Sequence, residues 1–276
     1  MARLLLRGTG LGDVEAVLFD KDGTLSISEP QLLTLAQARV FLCLAQVQPC
    51  QRPELETLLR RAYGLRGCSA DHVAEPGSDP AASLPAICPA GITAVASREH
   101  NLIATATALV QVGLGWPEAL ALSEQVFAEA DAADARRAAA GAARATSATT
   151  EGLQSWLEQL RSAGVVCAVI SNDDVAGIEY FLASHGLESY FAGFWSAEHR
   201  PRKPDPAAVH SLCAQLGVSA GRCALIGDAN SDLRMAVAAG IPHQLSLGYT
   251  AAWRTAPALA EPHPRIHHWN ELSIGE

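Results

Sequence analysis

Four short polar segments carry the side chains that could do chemistry in this sequence. They are DKDGTL at 20–25, SND at 171–173, RKPDP at 202–206 and GDANSD at 227–232. Three of them follow apolar runs that predict buried strands, and RKPDP lies at a turn before a helix. Because ligands of open α/β sheets bind outside the carboxyl ends of the strands, we expect Asp20, Ser171 and Asp228 to converge although they are far apart in the sequence.

The converged groups have the chemistry of a magnesium and phosphate site. Four carboxylates would repel one another unless a cation lay among them, namely Asp20, Asp22, Asp228 and Asp232. Oxygen ligands without His or Cys favour Mg²⁺. Ser171, Asn172 and Lys203 supply a hydroxyl donor, amide donors and a positive charge, a set that suits a tetrahedral dianion such as phosphate.

Asp20 and Asp22 have a spacing that suits phosphoryl transfer. A carboxylate beside Mg²⁺ can attack phosphorus to give an aspartyl-phosphate, and a carboxylic acid two residues on can protonate the leaving oxygen. Taken alone, each residue has a simpler explanation, because Asp-Gly is a common turn signal and a lysine before proline is commonly a solvated loop residue. The four segments together favour the functional interpretation.

In this order, DKDGTL, Ser171, Lys203 and GDANSD resemble the four motifs of the haloacid dehalogenase-like hydrolases, over roughly residues 12–26 and 150–250. The resemblance implies a Rossmann-like core, a helical cap inserted after the first motif, and a phosphatase similar to phosphoglycolate phosphatases.

The same resemblance implies a role for each motif residue. Asp20 would be the nucleophile, and Asp22 would be the general acid and base and would bind the metal through its backbone carbonyl. Asp228 would be a metal ligand, and Asp232 would be a ligand or lie just behind the ligands. Ser171 and Asn172 would hold the phosphate, while Lys203 would neutralise it and anchor Asp20.

Alternating strand and helix patterns predict an α/β fold, with a parallel sheet and helices on both faces. The strand-like runs are 14–19, 165–170, 190–194, 223–226 and 243–247, and the helical patterns between them include 176–184, 207–216 and 233–239. We therefore predict a Rossmann-like catalytic core formed by residues 1–26 and 150–276. The tryptophans of this core, Trp195, Trp253 and Trp269, are interpreted as packing residues.

The helical patterns within residues 27–149 predict an inserted all-helical cap domain, with helices over 31–47, 54–63, 99–112 and 118–144. Residues 64–91 are rich in Pro, Gly, Ser and Ala, and we favour a disordered insertion there over a mobile lid. The segment SREHN at 97–101 begins the next helix. Arg98, His100 and Asn101 are candidate substrate contacts because such a helix start attracts anions, although a solvated first turn is the simpler interpretation.

Composition narrows the classes of partner. The formal charge is −9, from 29 acidic and 20 basic residues, and no Lys/Arg run could neutralise a row of phosphates, so a nucleic acid partner is not expected. No apolar run reaches the length of a membrane span, and no export signal is visible. Seven cysteines without a CxxC pair fit a reducing cytoplasm. The oligomeric state stays open.

These observations lead us to expect a Mg²⁺-dependent phosphatase that acts on a small phosphorylated metabolite through an aspartyl-phosphate at Asp20. Two alternatives stay open. A phosphomutase similar to β-phosphoglucomutase would use the same aspartates but return the phosphoryl group to a sugar. A catalytically silent phosphate-binding protein on this fold would be expected to lack the nucleophile or a metal ligand.

Overall fold

The computed structural model describes residues 2–67, 84–139 and 146–275. The chain divides into two compact units, Met1–Ser28 with Ser147–Glu276, and Glu29–Thr146. We call the first the α/β unit and the second the helical unit.

The strands, in chain order, are β1 (Ala2–Leu6), β2 (Thr9–Val14), β3 (Ala16–Phe19), β4 (Ser26–Ile27), β5 (Leu65–Arg66), β6 (Ala86–Ile87), β7 (Ala148–Thr149), β8 (Val166–Ile170), β9 (Phe191–Trp195), β10 (Cys223–Gly227), β11 (Ser246–Tyr249), β12 (Arg265–Ile266) and β13 (Leu272–Gly275). The α-helices are α1 (Glu29–Gln46), α2 (Arg52–Tyr63), α3 (Ile92–Val95), α4 (Arg98–Gln111), α5 (Trp116–Ala139), α6 (Leu153–Ser162), α7 (Val175–Ser184), α8 (Pro206–Leu216) and α9 (Asn230–Ala238). Among these helices, none is both long and apolar enough to pass through a membrane.

A six-stranded sheet forms the centre of the α/β unit, in the order β12-β11-β10-β3-β8-β9. All of its strand pairs are parallel, and every residue of β3 is buried. The chain runs from β3 towards one edge and then, after β9, from β10 towards the other. Right-handed crossovers therefore place α6 and α7 on one face and α8 and α9 on the other. This confirms the predicted α/β fold class.

The point where the chain changes direction lies between β3 and β10. In such sheets this is where the loops at the carboxyl ends separate and leave a crevice for a ligand. The polar segments at 20–25, 171–173 and 227–232 follow β3, β8 and β10, respectively. The topology thus brings them to one edge of the sheet.

The strand prediction at 243–247 is wrong in its bounds. His243–Leu245 form a 3₁₀ turn, in which Leu245 N donates to Pro242 O at 2.8 Å, and β11 begins only at Ser246. Pro242 has a fixed φ and no N–H donor, which favours a turn over a strand at this position.

An antiparallel sheet of β13, β1 and β2 was not predicted from the sequence. The hairpin between β1 and β2 turns on Arg7 and Gly8, which have φ values of 49° and 79°. Positive φ at both positions is what a two-residue type I′ turn requires, but the usual sequence signal for it is Asn-Gly or Asp-Gly. An arginine in this position hides the hairpin from sequence inspection.

The helical unit has its own apolar core. Its fully buried members include Cys43 on α1, Leu55 and Leu59 on α2, Leu109 on α4 and Phe127 on α5. Tyr63 and Thr105 share a 2.5 Å hydrogen bond that joins α2 to α4. Of the predicted helix at 118–144, residues 140–144 lie outside the described residues.

The insertion was predicted to be all helical, but it also contains a short pair of strands. β5 pairs with β6 in antiparallel fashion, so both ends of the predicted loop at 64–91 are ordered, while residues 68–83 lie outside the described part of the chain. The crossings into the insertion also pair, β4 with β7, through Ser26 with Thr149 and Ile27 with Ala148. Both short strands lie in the α/β unit and not in the helical unit.

Candidate active site

Asp20 stands at the carboxyl end of the central strand β3. Its backbone N–H donates to Ile226 O at 2.9 Å, which continues the pairing with β10, and its side chain is buried. Lys203 Nζ lies 2.5 Å from Asp20 Oδ1 and 2.9 Å from Asp232 Oδ1, and it also donates to Ile170 O at 3.3 Å. The Lys203 ammonium therefore contacts the residue after β3, the last residue of β8 and the first turn of α9, the helix that follows β10.

Three buried carboxylates form a cluster, Asp20, Asp228 and Asp232. Each can offer an oxygen within 4.8 Å of the others. Asp228 follows β10, and Asp232 lies in the first turn of α9, where it accepts from Ala229 N at 3.3 Å. Asp232 can thus stabilise the start of the helix and face the cluster with the same carboxyl group.

The cluster contains more negative charge than its one lysine compensates. Burial raises the pKa of Asp20 to about 7, with Lys203 opposing the shift and Asp232 adding to it. Burial also raises the pKa of Asp228 well above its usual value, and the charges of Asp20 and Asp232 add to the shift. Burial alone would lower the pKa of Lys203, but Asp20 and Asp232 outweigh it, so the pKa is raised and the ammonium stays charged.

The cluster has the chemistry of a site for a hard divalent cation. All three members of this cluster, which was found among the described residues, are aspartates. Their side chains offer carboxylate oxygens, the ligands that Mg²⁺ prefers. A bound cation would also offset the repulsion among these carboxylates, which adds to the effect of burial on the pKa of Asp20 and Asp228. The carboxylate of Asp22, the fourth residue of the predicted metal set, is not a member of this cluster.

The Asp22 carboxyl group is turned to different partners. Its Oδ1 lies 2.7 Å from Lys21 Nζ and accepts from Ser26 Oγ at 3.2 Å. The side chain is 22% exposed, against 9% for that of Asp20. Asp22 therefore has access to solvent, as an acid that exchanges protons with a reactant requires.

Ser171 and Asn172 follow β8 on the next loop along the sheet edge. Ser171 is buried, its N–H donates to Trp195 O at 2.9 Å, and its Oγ accepts from Asp173 N at 3.1 Å. Asn172 is half-buried. The next helix, α7, begins after Asp174, whose side chain accepts from Gly177 N at 2.7 Å and caps the helix.

One contact to the carboxylate cluster was not predicted from the sequence. Trp253, interpreted as a packing residue, donates from Nε1 to Asp228 Oδ2 at 2.6 Å. Gly23 makes room for this pair, because it has a φ of +84° and a Cβ at its position would lie 2.5 Å from Asp228 Oδ2 and overlap the Trp253 ring. The Asp-Gly turn signal includes Gly23, but no sequence pattern predicts a contact between Trp253 and Asp228.

The candidate substrate contacts Arg98, His100 and Asn101 lie on α4 of the helical unit. Arg98 is about half exposed, and its Nε and one Nη donate to Asp131 Oδ2 at 2.9 and 2.7 Å. His100 is exposed, whereas Asn101 is buried and its Nδ2 donates to the carbonyls of Ile92, Ala96 and Ser97. Their contact with a substrate stays a prediction.

The sequence matches the family model of the haloacid dehalogenase-like hydrolases over residues 14–240. This match spans both halves of the α/β unit and the segment between them. The chain belongs to the haloacid dehalogenase-like hydrolases, which confirms the resemblance drawn from the four motifs.

Curated relatives include phosphoglycolate phosphatases. The enzyme of Yersinia pestis is 29% identical over 113 residues, which is 41% of this chain and 47% of the relative. That of Pseudomonas savastanoi pv. phaseolicola is 33% identical over 100 residues, 36% of this chain and 37% of the relative. The chain thus spans about half the length, or less, of the curated relatives it matches.

Solved structures share the fold over almost the whole chain. A structure described as a predicted phosphoglycolate phosphatase from Haemophilus somnus has a TM-score of 0.62 at 19% identity and covers 93% of this chain and 95% of its own. CbbY from Rhodobacter sphaeroides, solved with xylulose-(1,5)bisphosphate, has a TM-score of 0.50 at 15% identity, with coverages of 93% and 95%.

Proposed function

We propose that this protein is a Mg²⁺-dependent phosphatase that hydrolyses a small phosphorylated metabolite of the phosphoglycolate type. The observation that carries the proposal is the buried Asp20 carboxylate, which Lys203 holds beside Asp228 and Asp232 at the switch point of the sheet. Membership of the hydrolase family and the names of the curated relatives support the reaction class.

Asp20 is the nucleophile in the proposed reaction. One of its carboxylate oxygens attacks phosphorus, the bond to the leaving oxygen breaks, and the phosphoryl group remains on Asp20. Lys203, 2.5 Å from Asp20 Oδ1, orients this carboxylate and favours its ionised form. Ser171 and Asn172 donate hydrogen bonds to the phosphoryl oxygens.

The cation would be held by Asp20, Asp228 and Asp232, with the backbone carbonyl of Asp22 as a further ligand. When bound, it supplies positive charge that stabilises the charge developing on the phosphoryl oxygens. Trp253 keeps Asp228 oriented through the hydrogen bond to its Oδ2.

Asp22 transfers protons in both half-reactions. It first protonates the leaving oxygen of the substrate and is left as a carboxylate. It then takes a proton from the water that attacks the phosphoryl group on Asp20, which restores Asp20 and releases phosphate. Its partial exposure lets it reach both the alcohol and the water.

The experiment that tests the proposal measures phosphate release from a panel of phosphorylated small molecules, including phosphoglycolate and sugar phosphates. We expect turnover with Mg²⁺, none in excess chelator, and little with Ca²⁺, because the looser shell of Ca²⁺ misplaces the attacking carboxylate. Purified Asp20→Asn protein provides the background rate.

Two outcomes would contradict the proposal. Equal turnover after metal removal would exclude the metal-dependent route. An isomerised sugar phosphate without free phosphate would assign the chain to phosphomutases, and product analysis of the same reactions detects it.

A further inference from the structure

Lys21 is a buried cation inside the first motif, between Asp20 and Asp22. Its side chain is 7% exposed, and its Nζ lies 2.7 Å from Asp22 Oδ1 and 3.0 Å from Asp173 Oδ2. The ammonium also lies 5.6 Å from the centre of the Phe181 ring. Lys21 therefore joins the loop after β3 to the loop after β8.

Two contacts fix the Asp22 carboxyl group by the same oxygen. Ser26 Oγ donates to Oδ1 at 3.2 Å, and the Lys21 ammonium lies against that oxygen as well. Neither contact uses Oδ2. The carboxyl group can thus be held in place while Oδ2 carries the proton that a leaving oxygen takes.

Asp173, the other partner of Lys21, is itself firmly held. Its Oδ1 accepts from Asp174 N at 2.9 Å, and its carbonyl accepts from Ala197 N at 2.8 Å. Gly177 leaves space for the carboxylate, because a Cβ at that position would overlap Asp173 Oδ2. Asp173 can therefore act as a fixed anchor for Lys21.

The charges around Lys21 depend on one another. The Lys21 ammonium lies between two carboxylates, 2.7 Å from Asp22 Oδ1 and 3.0 Å from Asp173 Oδ2. Without the ammonium, Asp22 would lose its 2.7 Å contact and would be held through Ser26 Oγ at 3.2 Å, whereas Asp173 Oδ1 would still accept from Asp174 N at 2.9 Å. Removal of the cation should therefore move Asp22 out of its position.

We propose that Lys21 and Asp173 are positioning residues that hold Asp22 where it protonates the leaving oxygen. This assignment rests on the proposed function, because it concerns the acid of that reaction. The other buried lysine of the site, Lys203, contacts Asp20, the nucleophile of the proposed reaction. Its loss should affect the attack of Asp20 on phosphorus, a step that is common to all phosphate esters.

The test compares Lys21→Met with the unaltered protein on two Mg²⁺-supported substrates, an alkyl phosphate and an aryl phosphate with a good leaving group. The measured quantity is kcat/KM, which covers the steps up to release of the alcohol. We expect a loss of about tenfold or more for the alkyl ester and at most about threefold for the aryl ester, which needs little protonation.

Three further variants separate positioning from folding. Lys21→Arg should recover part of the activity on the alkyl ester, and Asp173→Asn should show the same preference for the aryl ester as Lys21→Met. Lys203→Met is the matched control, because it removes a buried lysine that contacts Asp20 and should lose activity on both esters alike. Equal losses on both esters in Lys21→Met, or no loss on either, would overturn the assignment.

A crystal structure of Lys21→Met tests the same assignment without turnover. Displacement of the Asp22 carboxyl group from Ser26 Oγ supports it, and an unchanged Asp22 contradicts it. If the unaltered protein releases phosphate from neither ester, the proposed function fails, and the position of Asp22 in this crystal structure still decides whether Lys21 holds it.

Discussion

Asp20 and Asp228 are buried carboxyl groups whose nearest cation, Lys203, also serves Asp232. Such a cluster favours metal binding and opposes folding of the metal-free chain. Because the folded state raises the pKa of both groups, it binds their protons more tightly than the unfolded state does. The free energy of unfolding without metal therefore falls as pH rises above 3.8, and for Asp20 the fall continues to about 7.

Asp228→Asn tests how far one buried carboxylate lowers the free energy of unfolding of the metal-free protein. The amide stays neutral at every pH and still offers an oxygen to Trp253, so the metal-free variant should be more stable than the unaltered protein at pH 8. At pH 8 the free energy of unfolding should rise by about 1.4 kcal/mol for each unit by which folding raises the pKa of Asp228. This gain should shrink towards pH 4. Thermal unfolding in chelator at both pH values measures it.

Mg²⁺ should stabilise the unaltered protein, and the same variant should lose that stabilisation. Asp13→Asn is the control, because Asp13 is exposed in the hairpin strand β2, and it should change neither quantity. A metal-free Asp228→Asn protein that is less stable than the unaltered one at pH 8 would contradict this account of the cluster.

At the residue level, the sequence predicted the groups that converge but not what holds them. The motifs singled out Asp20 and Asp228, because strand-end positions follow from the sheet topology, and Lys203, because it lies in a polar turn before a helix. Lys21 and Trp253 carry no comparable signal. Their contacts, to Asp22 and Asp228, depend on side-chain positions in loops that only the folded chain brings together.

Among the elements, the turn after β3 determines the shape of the site. Gly23→Ala should destabilise the protein and weaken Mg²⁺ binding, because the position has a φ of +84° and the new Cβ would push on Asp228 Oδ2 and Trp253. Gly186→Ala is the matched control, since Gly186 has a φ of +63° with nothing within 4 Å. It should cost roughly 1–2 kcal/mol in backbone strain alone and leave metal binding unchanged.

Thermal unfolding with increasing Mg²⁺ measures both effects in both variants. If Gly23→Ala and Gly186→Ala retain the same metal affinity, the close approach of Gly23 to Asp228 does not matter for the site.

Elements with regular apolar patterns were predicted close to where they lie. The strand at 165–170 and the helix at 54–63 correspond to β8 and α2 within a residue or two at each end. Elements whose turns break the usual residue preferences were missed. The β1–β2 hairpin turns on Arg7, and the short strand β5 owes its place to pairing with β6, a partner some twenty residues away that no local pattern reveals.

For the whole molecule, the division into two units suggests where selectivity comes from. The four motifs all lie in the α/β unit, and in the proposed reaction they bind only phosphate and metal. We therefore expect the helical unit to distinguish substrates, with Arg98 as the best single candidate. Arg98→Ala should lower kcat/KM for the natural substrate by about tenfold, the value of one charged hydrogen bond, and change it little for a small aryl phosphate.

Arg52→Ala serves as the control for this variant, because Arg52 is an exposed arginine of the same unit. Steady-state kinetics on both substrates decides the matter. Equal losses on both, or none on either, would assign Arg98 a role in holding α5 through Asp131 instead.

In the proposed reaction Asp20 carries the phosphoryl group, and rapid acid quenching followed by peptide mass spectrometry tests this role most directly. Protein mixed with substrate and Mg²⁺ should gain one phosphoryl group on the peptide that contains Asp20. The group should disappear as substrate is exhausted, and Asp20→Asn should neither gain it nor turn over. Phosphate release from the unaltered protein without a phosphoryl group on Asp20, or undiminished turnover by folded Asp20→Asn, would contradict the account.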